Sequence, residues 1–132
     1  MALTQVTHSM ITASYVYADD FIPPGVDTAN QDCQPYLQNA VTAAYGKVLK
    51  LTDGKHYRLD STLDLTYIKG MFGAAYIEWG GAQSSGYLLD ASKNSGIVIS
   101  GGAGELILRC DMGGYVRYGV KMGGTTGFTT FQ

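Results

Sequence analysis

The stretch AYIEWGG, residues 75–81, sets a carboxylate two positions from a tyrosine inside an apolar run. In an extended strand the side chains alternate between faces, so Ile77 and Trp79 share one side and Tyr76 and Glu78 the other. With the apolar pair turned inward, Trp79 is core. Tyr76 and Glu78 then stand outward as an aromatic beside an acid, chemistry suited to gripping a sugar ring. For Glu78 the commoner role is a solvated strand residue, and the rarer one a general acid. A second run, YVRYGVKMGG, alternates in the same way. Val116, Tyr118, Val120 and Met122 fall on one face, and Tyr115, Arg117, Gly119 and Lys121 on the other, where Arg109 from the preceding strand would extend the cationic surface. Such a face could meet an anionic polysaccharide, a neighbouring subunit or only water. Tyr76, Glu78, Tyr115, Arg117 and Lys121 are therefore the candidate carbohydrate contacts. Asp60, Asp64 and Asp90 fall at turns or strand ends, where carboxylates bond local backbone. No catalytic residue is assigned.

Other chemistries are disfavoured. Cys33 and Cys110 stand outside any Cys-x-x-Cys pair, and His8 and His56 lie far from both in sequence, so spacing predicts no metal site. Cys33 falls on the apolar side of a predicted helix and is expected to be a buried free thiol. The run GGAG lacks the strand before it and the helix after it that a dinucleotide-binding loop needs, and no cofactor is expected. Nine basic residues scattered along a chain of net charge −2 make no patch for nucleic acid. No window approaches the roughly 20 apolar residues that would cross a bilayer, so no membrane insertion is expected. No secretory signal is visible in the opening residues.

The elements that must position these residues are mostly strands. The 132 residues make one domain or a piece of a larger one. Eighteen glycines without a Gly-X-Y period favour many tight turns. Residues 1–14 read as an arm or linker. SYVYADDF reads as a short strand, ended by Pro23-Pro24-Gly25, since proline cannot donate to a ladder. In DTANQDCQPYLQNAVTAAYG the residues Cys33, Tyr36, Leu37, Ala40, Val41 and Ala44 follow the spacing of one helical face. The predicted helix covers about residues 32–45, with Asp32 as N-cap, Pro35 in the first turn and Gly46 as the left-handed residue that closes it. From Lys47 the period changes to two, and short runs alternate with glycine or polar breaks. Asp53-Gly54 is a strong turn pair. Strands this short cannot make a wide flat sheet with a useful core. They suit a coiled architecture in which each strand stacks on its equivalent one turn earlier. Ile68-Lys69-Gly70 and Ile99-Ser100-Gly101 echo each other, and nothing repeats three times.

Taken in order, these pieces resemble the start of the right-handed parallel β-helix of bacteriophage tailspikes, in the pectate-lyase-like family. The family's run V-x-L-x-x-G-x-Y-x-L-x-S-x-L is matched by Val48, Tyr57, Leu59, Ser61 and Leu63, with one extra residue before Thr52-Asp53-Gly54. Its second-coil I-x-G is matched by Ile68 and Gly70, and VTHSMI is similar to the leader that often precedes the module. The match spans roughly residues 6–101. FIPPGVDTANQD is an altered version of the family's Gly- and Asp-rich stretch, keeping Gly25, Asp27 and Thr28. The resemblance implies a mainly β fold, the start of a right-handed parallel β-helix over residues 15–132, with the helix as its cap. About 85 residues follow the helix; at roughly 20–30 per coil they would make three or four coils. It further implies a homotrimer in the virion tail, synthesised in the host cytoplasm, that joins other tail proteins. Its parent would continue beyond residue 132. Such parents bind, and often depolymerise, a bacterial capsule or O-antigen polysaccharide. Their acid pairs usually lie on middle coils or between subunits, beyond the matched region, so no catalytic residue is carried over. The alternative is a non-catalytic neck or adhesin module joining the receptor-binding part to the virion. A free-standing pectin-lyase-like enzyme fits less well, because such enzymes are secreted.

Overall fold

The computed structural model describes residues 15–80, 87–94, 96–102 and 104–109, and the backbone of Tyr118–Lys121 and Thr129–Phe131. β1 (Tyr15–Tyr17) leads through a 3-10 turn, Ala18–Phe21, and a loop into helix α1 (Gln34–Ala43). Three short strands come next: β2 (Val48–Lys50), β3 (His56–Leu59) and β4 (Leu63–Asp64). The pattern recurs with β5 (Gly70–Phe72), β6 (Tyr76–Trp79) and β7 (Tyr87–Asp90), and again with β8 (Ile97–Ser100), β9 (Ile107–Arg109) and β10 (Tyr118–Lys121). β11 (Thr129–Phe131), which the sequence pattern does not suggest, is the last.

Every ladder among these strands is parallel. The first sheet has the order β1-β2-β5-β8-β11, the second β3-β6-β9 and the third β10-β7-β4. From β2 onward the chain visits the three sheets in rotation, and each strand pairs with the strand three elements before it. The protein is thus mainly β, with parallel sheets and, among the described residues, one α-helix. Val48 pairs with Gly70, Gly70 with Val98, and Val98 with Thr130, so the interval between stacked strands lengthens at every step. That drift explains the missing period. The echo between Ile68-Lys69-Gly70 and Ile99-Ser100-Gly101 is out of step with the true register, which sets Gly70 opposite Val98 rather than Gly101.

Side chains of stacked strands form inward columns. Leu49, Met71 and Ile99 line the first sheet, Tyr57, Ile77 and Leu108 the second, with Leu59 beneath Trp79, and Leu63 beneath Leu89 in the third. All of these are fully or nearly fully buried apart from Leu108, which packs against them half-buried. Each fully buried large side chain contributes about 1.5–3 kcal/mol relative to an exposed one. The inward placement of Ile77 and Trp79 matches the expectation from alternation. Corners between sheets are also tied. Asn94, almost fully buried after β7, donates its amide to the carbonyls of Leu65 and Ile68 in the preceding corner, at 2.6 and 2.8 Å. Asp53-Gly54 forms the turn between β2 and β3, Gly54 taking φ +78°.

The N-terminal segment covers the first strand of each sheet. β1 pairs with β2 on the first sheet. On the second, the Arg58 N–H donates to the Thr28 carbonyl and the Cys33 N–H to the Arg58 carbonyl, both at 2.8 Å, so the turn over residues 28–31 and the single parallel bridge at Asp32 cover β3. On the third, the side-chain amide of Gln38 donates to the Asp64 carbonyl at 3.1 Å and accepts from the Asp64 N–H at 3.0 Å, while Gln34 donates to the Thr62 carbonyl at 3.0 Å. Two helix glutamines thus stand in for a strand. The apolar face of α1 closes the interior through Leu37, Ala40 and Val41, with Cys33 and Ala44 at its ends, all buried. Cys33 is a free thiol, and burial pushes its pKa up.

The helix is shorter than expected, and the N-cap position is Cys33 rather than Asp32. Asp32 still accepts the Gln34 N–H at 2.9 Å, and it accepts the Asp60 N–H at 3.0 Å as well. Its backbone is held in the bridge to β3, which keeps it out of the cap position. Gly46 takes the left-handed φ, +69°, predicted for it, but it lies two residues beyond the Ala44 C-cap. It sits in a turn closed by the Lys47 N–H on the Ala44 carbonyl at 2.7 Å, and its own N–H donates to the Tyr67 carbonyl at 2.9 Å. The first strand is also shorter than SYVYADDF, because ADDF turns into the 3-10 segment.

Candidate functional site

The outward side chains of the second sheet form two columns fixed by register. His56, Tyr76 and Ile107 stack in one, and Arg58, Glu78 and Arg109 in the other. Alternation places them outward because Tyr57, Leu59, Ile77 and Trp79 take the interior. Parallel strands in register repeat at the sheet spacing of about 4.8 Å, so each column is a row of neighbours.

The charged column runs cation, anion, cation. Glu78 Oε2 lies 3.8 Å from Arg109 Nη1 and 3.5 Å from His56 Nε2. The Glu78 side chain is only 14% exposed, so the acid that alternation turned outward is mostly covered by its neighbours. Arg109, at 48%, remains accessible to a ligand. Arg58 is spent internally. Its guanidinium donates to both Asp60 oxygens at 2.8 and 3.3 Å, to the Asn30 carbonyl at 3.0 Å and to the Gly80 carbonyl at 3.1 Å. The bonds to Asp60 raise its pKa further.

In the second column the His56 ring meets the edge of Tyr76, with centroids 4.5 Å apart and planes at 68°. His56 Nε2 is buried and makes no hydrogen bond. Tyr76 is half-buried and Ile107 is 45% exposed. The patch therefore gathers an aromatic ring, a mostly covered carboxylate, an exposed guanidinium and the apolar side chain of Ile107 on one face of the second sheet.

Of the sequence candidates, Tyr76 and Glu78 come together in this patch. Tyr115 and Arg117 lie outside the described residues, and Lys121 is placed only by its backbone, on β10 opposite Asp90. Arg109 does not extend the Lys121 face, as sequence order suggests. Consecutive strands go to different sheets, so β9 joins the second beside Glu78 while β10 joins the third. In the sequence His56 bears only on metal binding. Its neighbour Tyr76 lies well along the chain from it, and no spacing rule links them without the register. Asp64 and Asp90 bond local backbone as expected, accepting from the N–H of Thr66 and Ser92 at 2.9 and 3.0 Å. Asp60 differs, being the partner of Arg58.

Among the described residues, no three His, Cys, Asp or Glu side chains gather to hold a metal ion, and no helix is long and apolar enough to cross a membrane. Compared with protein-family models, curated proteins and solved structures, the chain gives no significant match to any of them.

Proposed function

We infer that this chain is the N-terminal part of a phage tailspike-like protein: the lid and first coils of a right-handed parallel β-helix, assembled as a homotrimer in the virion tail beside other tail proteins. On this reading its parent attaches the virion to a host by binding, and depolymerising, a capsule or O-antigen polysaccharide. The observation that carries the reading is the rotation of the chain through three parallel sheets, with the helix and its leading loop laid over the first strand of each. A stack of this kind presents side chains in rows at strand spacing, a repetitive surface suited to a repetitive polymer. On the second sheet, Tyr76, Glu78 and Arg109 supply the stacking ring, acceptor and donor.

The reading is tested by measuring binding of the chain to purified capsule and O-antigen preparations, alongside the polymer chain length and the sedimentation of the protein. A species near three times 14.1 kDa and binding that Tyr76→Ala weakens are the expected results for this chain, and shortened polymer is the result expected of the full-length parent. A monomer that binds no bacterial polysaccharide would sink it.

A second reading has its own support. Glu78 lies 3.8 Å from Arg109 and 3.5 Å from His56, and Arg58 makes four internal hydrogen bonds, so much of this face serves the fold. That favours a non-catalytic neck joining the receptor-binding part to the virion. A full-length trimer that leaves polymer length unchanged selects this alternative.

A further inference from the structure

The outward face of the first sheet holds a cleft of about 250 Å³ lined by Tyr15, Tyr17, Lys50 and Phe72. Register puts Tyr17, Lys50 and Phe72 in one column, so a cation sits between two aromatic side chains whose strands are two spacings, about 9–10 Å, apart. Tyr15 lies in the neighbouring column with Val48 and Gly70. At Gly70 a Cβ would stand 3.0 Å from Phe72 Cε1, so the ring lies over the bare backbone there. Tyr17 is 52% exposed, which opens the cleft to solvent.

We propose that this cleft binds a pyranose ring bearing a carboxylate, a uronic-acid-type sugar. The ligand class rests on the glycan-binding reading above; the site and its charge preference are new. The cleft is smaller than the roughly 300–1,000 Å³ of sites for drug-sized molecules, which suits a single ring. Aromatic walls pack against the C–H faces of a pyranose. Lys50 supplies the charge. Its ammonium has a distant ion pair with Asp53, at 3.9 Å, and that carboxylate is 64% exposed and already accepts the Ala74 N–H at 2.9 Å. An ion pair so exposed contributes little, so the cation is free to turn to a ligand carboxylate. A phosphate would make no use of the aromatic walls, and a neutral sugar would take hydrogen bonds from the lysine without pairing its charge.

The test titrates the full chain with D-glucuronate, D-glucose and acetate, following backbone and aromatic NMR signals. A ligand of this size on one shallow site predicts millimolar affinity for glucuronate. Saturable shifts should be confined to β1, β2 and β5, with glucose and acetate several-fold weaker. Tyr17→Ala should weaken glucuronate about tenfold, the scale of one lost aromatic contact. Lys50→Gln should leave the fold intact and erase the preference for glucuronate over glucose. Shifts that survive Tyr17→Ala, equal response to glucose and glucuronate, or no saturable response overturn the proposal. So do ligand-free shifts at these residues that grow with protein concentration, which would make a second copy the occupant. A null result here, with polysaccharide binding still sensitive to Tyr76→Ala, would remove the cleft and leave the wider reading standing.

Discussion

Asp19, in the 3-10 turn after β1, accepts hydrogen bonds from Tyr57 at 2.7 Å, Thr52 at 2.8 Å and Lys55 at 2.9 Å, and so fastens the N-terminal segment to the corner between β2 and β3. Burial works to raise the pKa of this carboxyl, but the bonds from Lys55, Tyr57 and Thr52 outweigh it and hold it below the usual carboxylate range. Burial in turn pushes the Tyr57 phenol up. The sign follows by linkage. An unfolded Asp with a pKa of about 3.9 holds its proton more tightly than the folded one, so this contribution is complete above about pH 5 and is lost as pH falls through the folded value. The side chain is 32% exposed, so the ion pair is partly screened and the hydrogen bonds dominate. Asp19→Asn should therefore cost about 1–3 kcal/mol at pH 7, with a smaller deficit at pH 3, read from urea midpoints at both values. Equal deficits at the two pH values would contradict the assignment. Nothing in YADDF marks this role. Its partners Thr52, Lys55 and Tyr57 lie beyond the helix, and an acid beside a second acid reads as solvated surface. Tyr76 and Glu78 were legible as a pair because alternation is local. The covering of Glu78 was not, because Arg109 reaches it only through the β6–β9 register.

Helix α1 shows what a periodic pattern can and cannot reveal about an element. Its buried side is legible from spacing alone, since Leu37, Ala40 and Val41 recur as one face. Gln34 and Gln38 fall outside the apolar face that the spacing marks, and they satisfy the backbone at the margin of the third sheet. A primary amide carries a donor and an acceptor in the geometry of a peptide group, so Gln38 can both give to and take from Asp64 as a neighbouring strand would. An unpaired strand margin invites association, which gives this substitution a physical reason. Gln38→Ala should cost about 1–2 kcal/mol, the worth of two partly exposed hydrogen bonds. Gln38→Glu should not rescue it, because a carboxylate accepts from the Asp64 N–H but only opposes its carbonyl. Thermal or urea unfolding of the three proteins checks both statements, and full stability in the glutamate variant would show that side-chain packing, not the paired amide, is what counts. The strands beyond β8 are harder to place for a related reason. The stacking interval along the first sheet lengthens from each strand to the next, so no fixed period announces where the next strand belongs.

At the scale of the whole molecule, contacts run mainly between neighbouring strands of a stack, so the first strands have no earlier neighbour of their own kind to cover their exposed margin. α1 and residues 28–33 close that end. Leu37 is the fully buried side chain at the centre of the closure, and two substitutions there separate loss of packing from loss of the lid. Leu37→Ala leaves a cavity but keeps an apolar helix face, and should lower stability by about 2–5 kcal/mol without changing the solution behaviour of the folded protein. Leu37→Asp buries a charge with no partner, a cost the helix escapes by lifting off the sheets. The uncovered margins of β3 and β4, and the apolar columns beneath them, would then be open to other chains. Light scattering that rises with protein concentration should follow for the aspartate variant, at temperatures where the alanine variant remains folded and scatters like the parent. If both variants lose stability alike and neither associates, the helix is only one more piece of core, and its role as a lid must be given up.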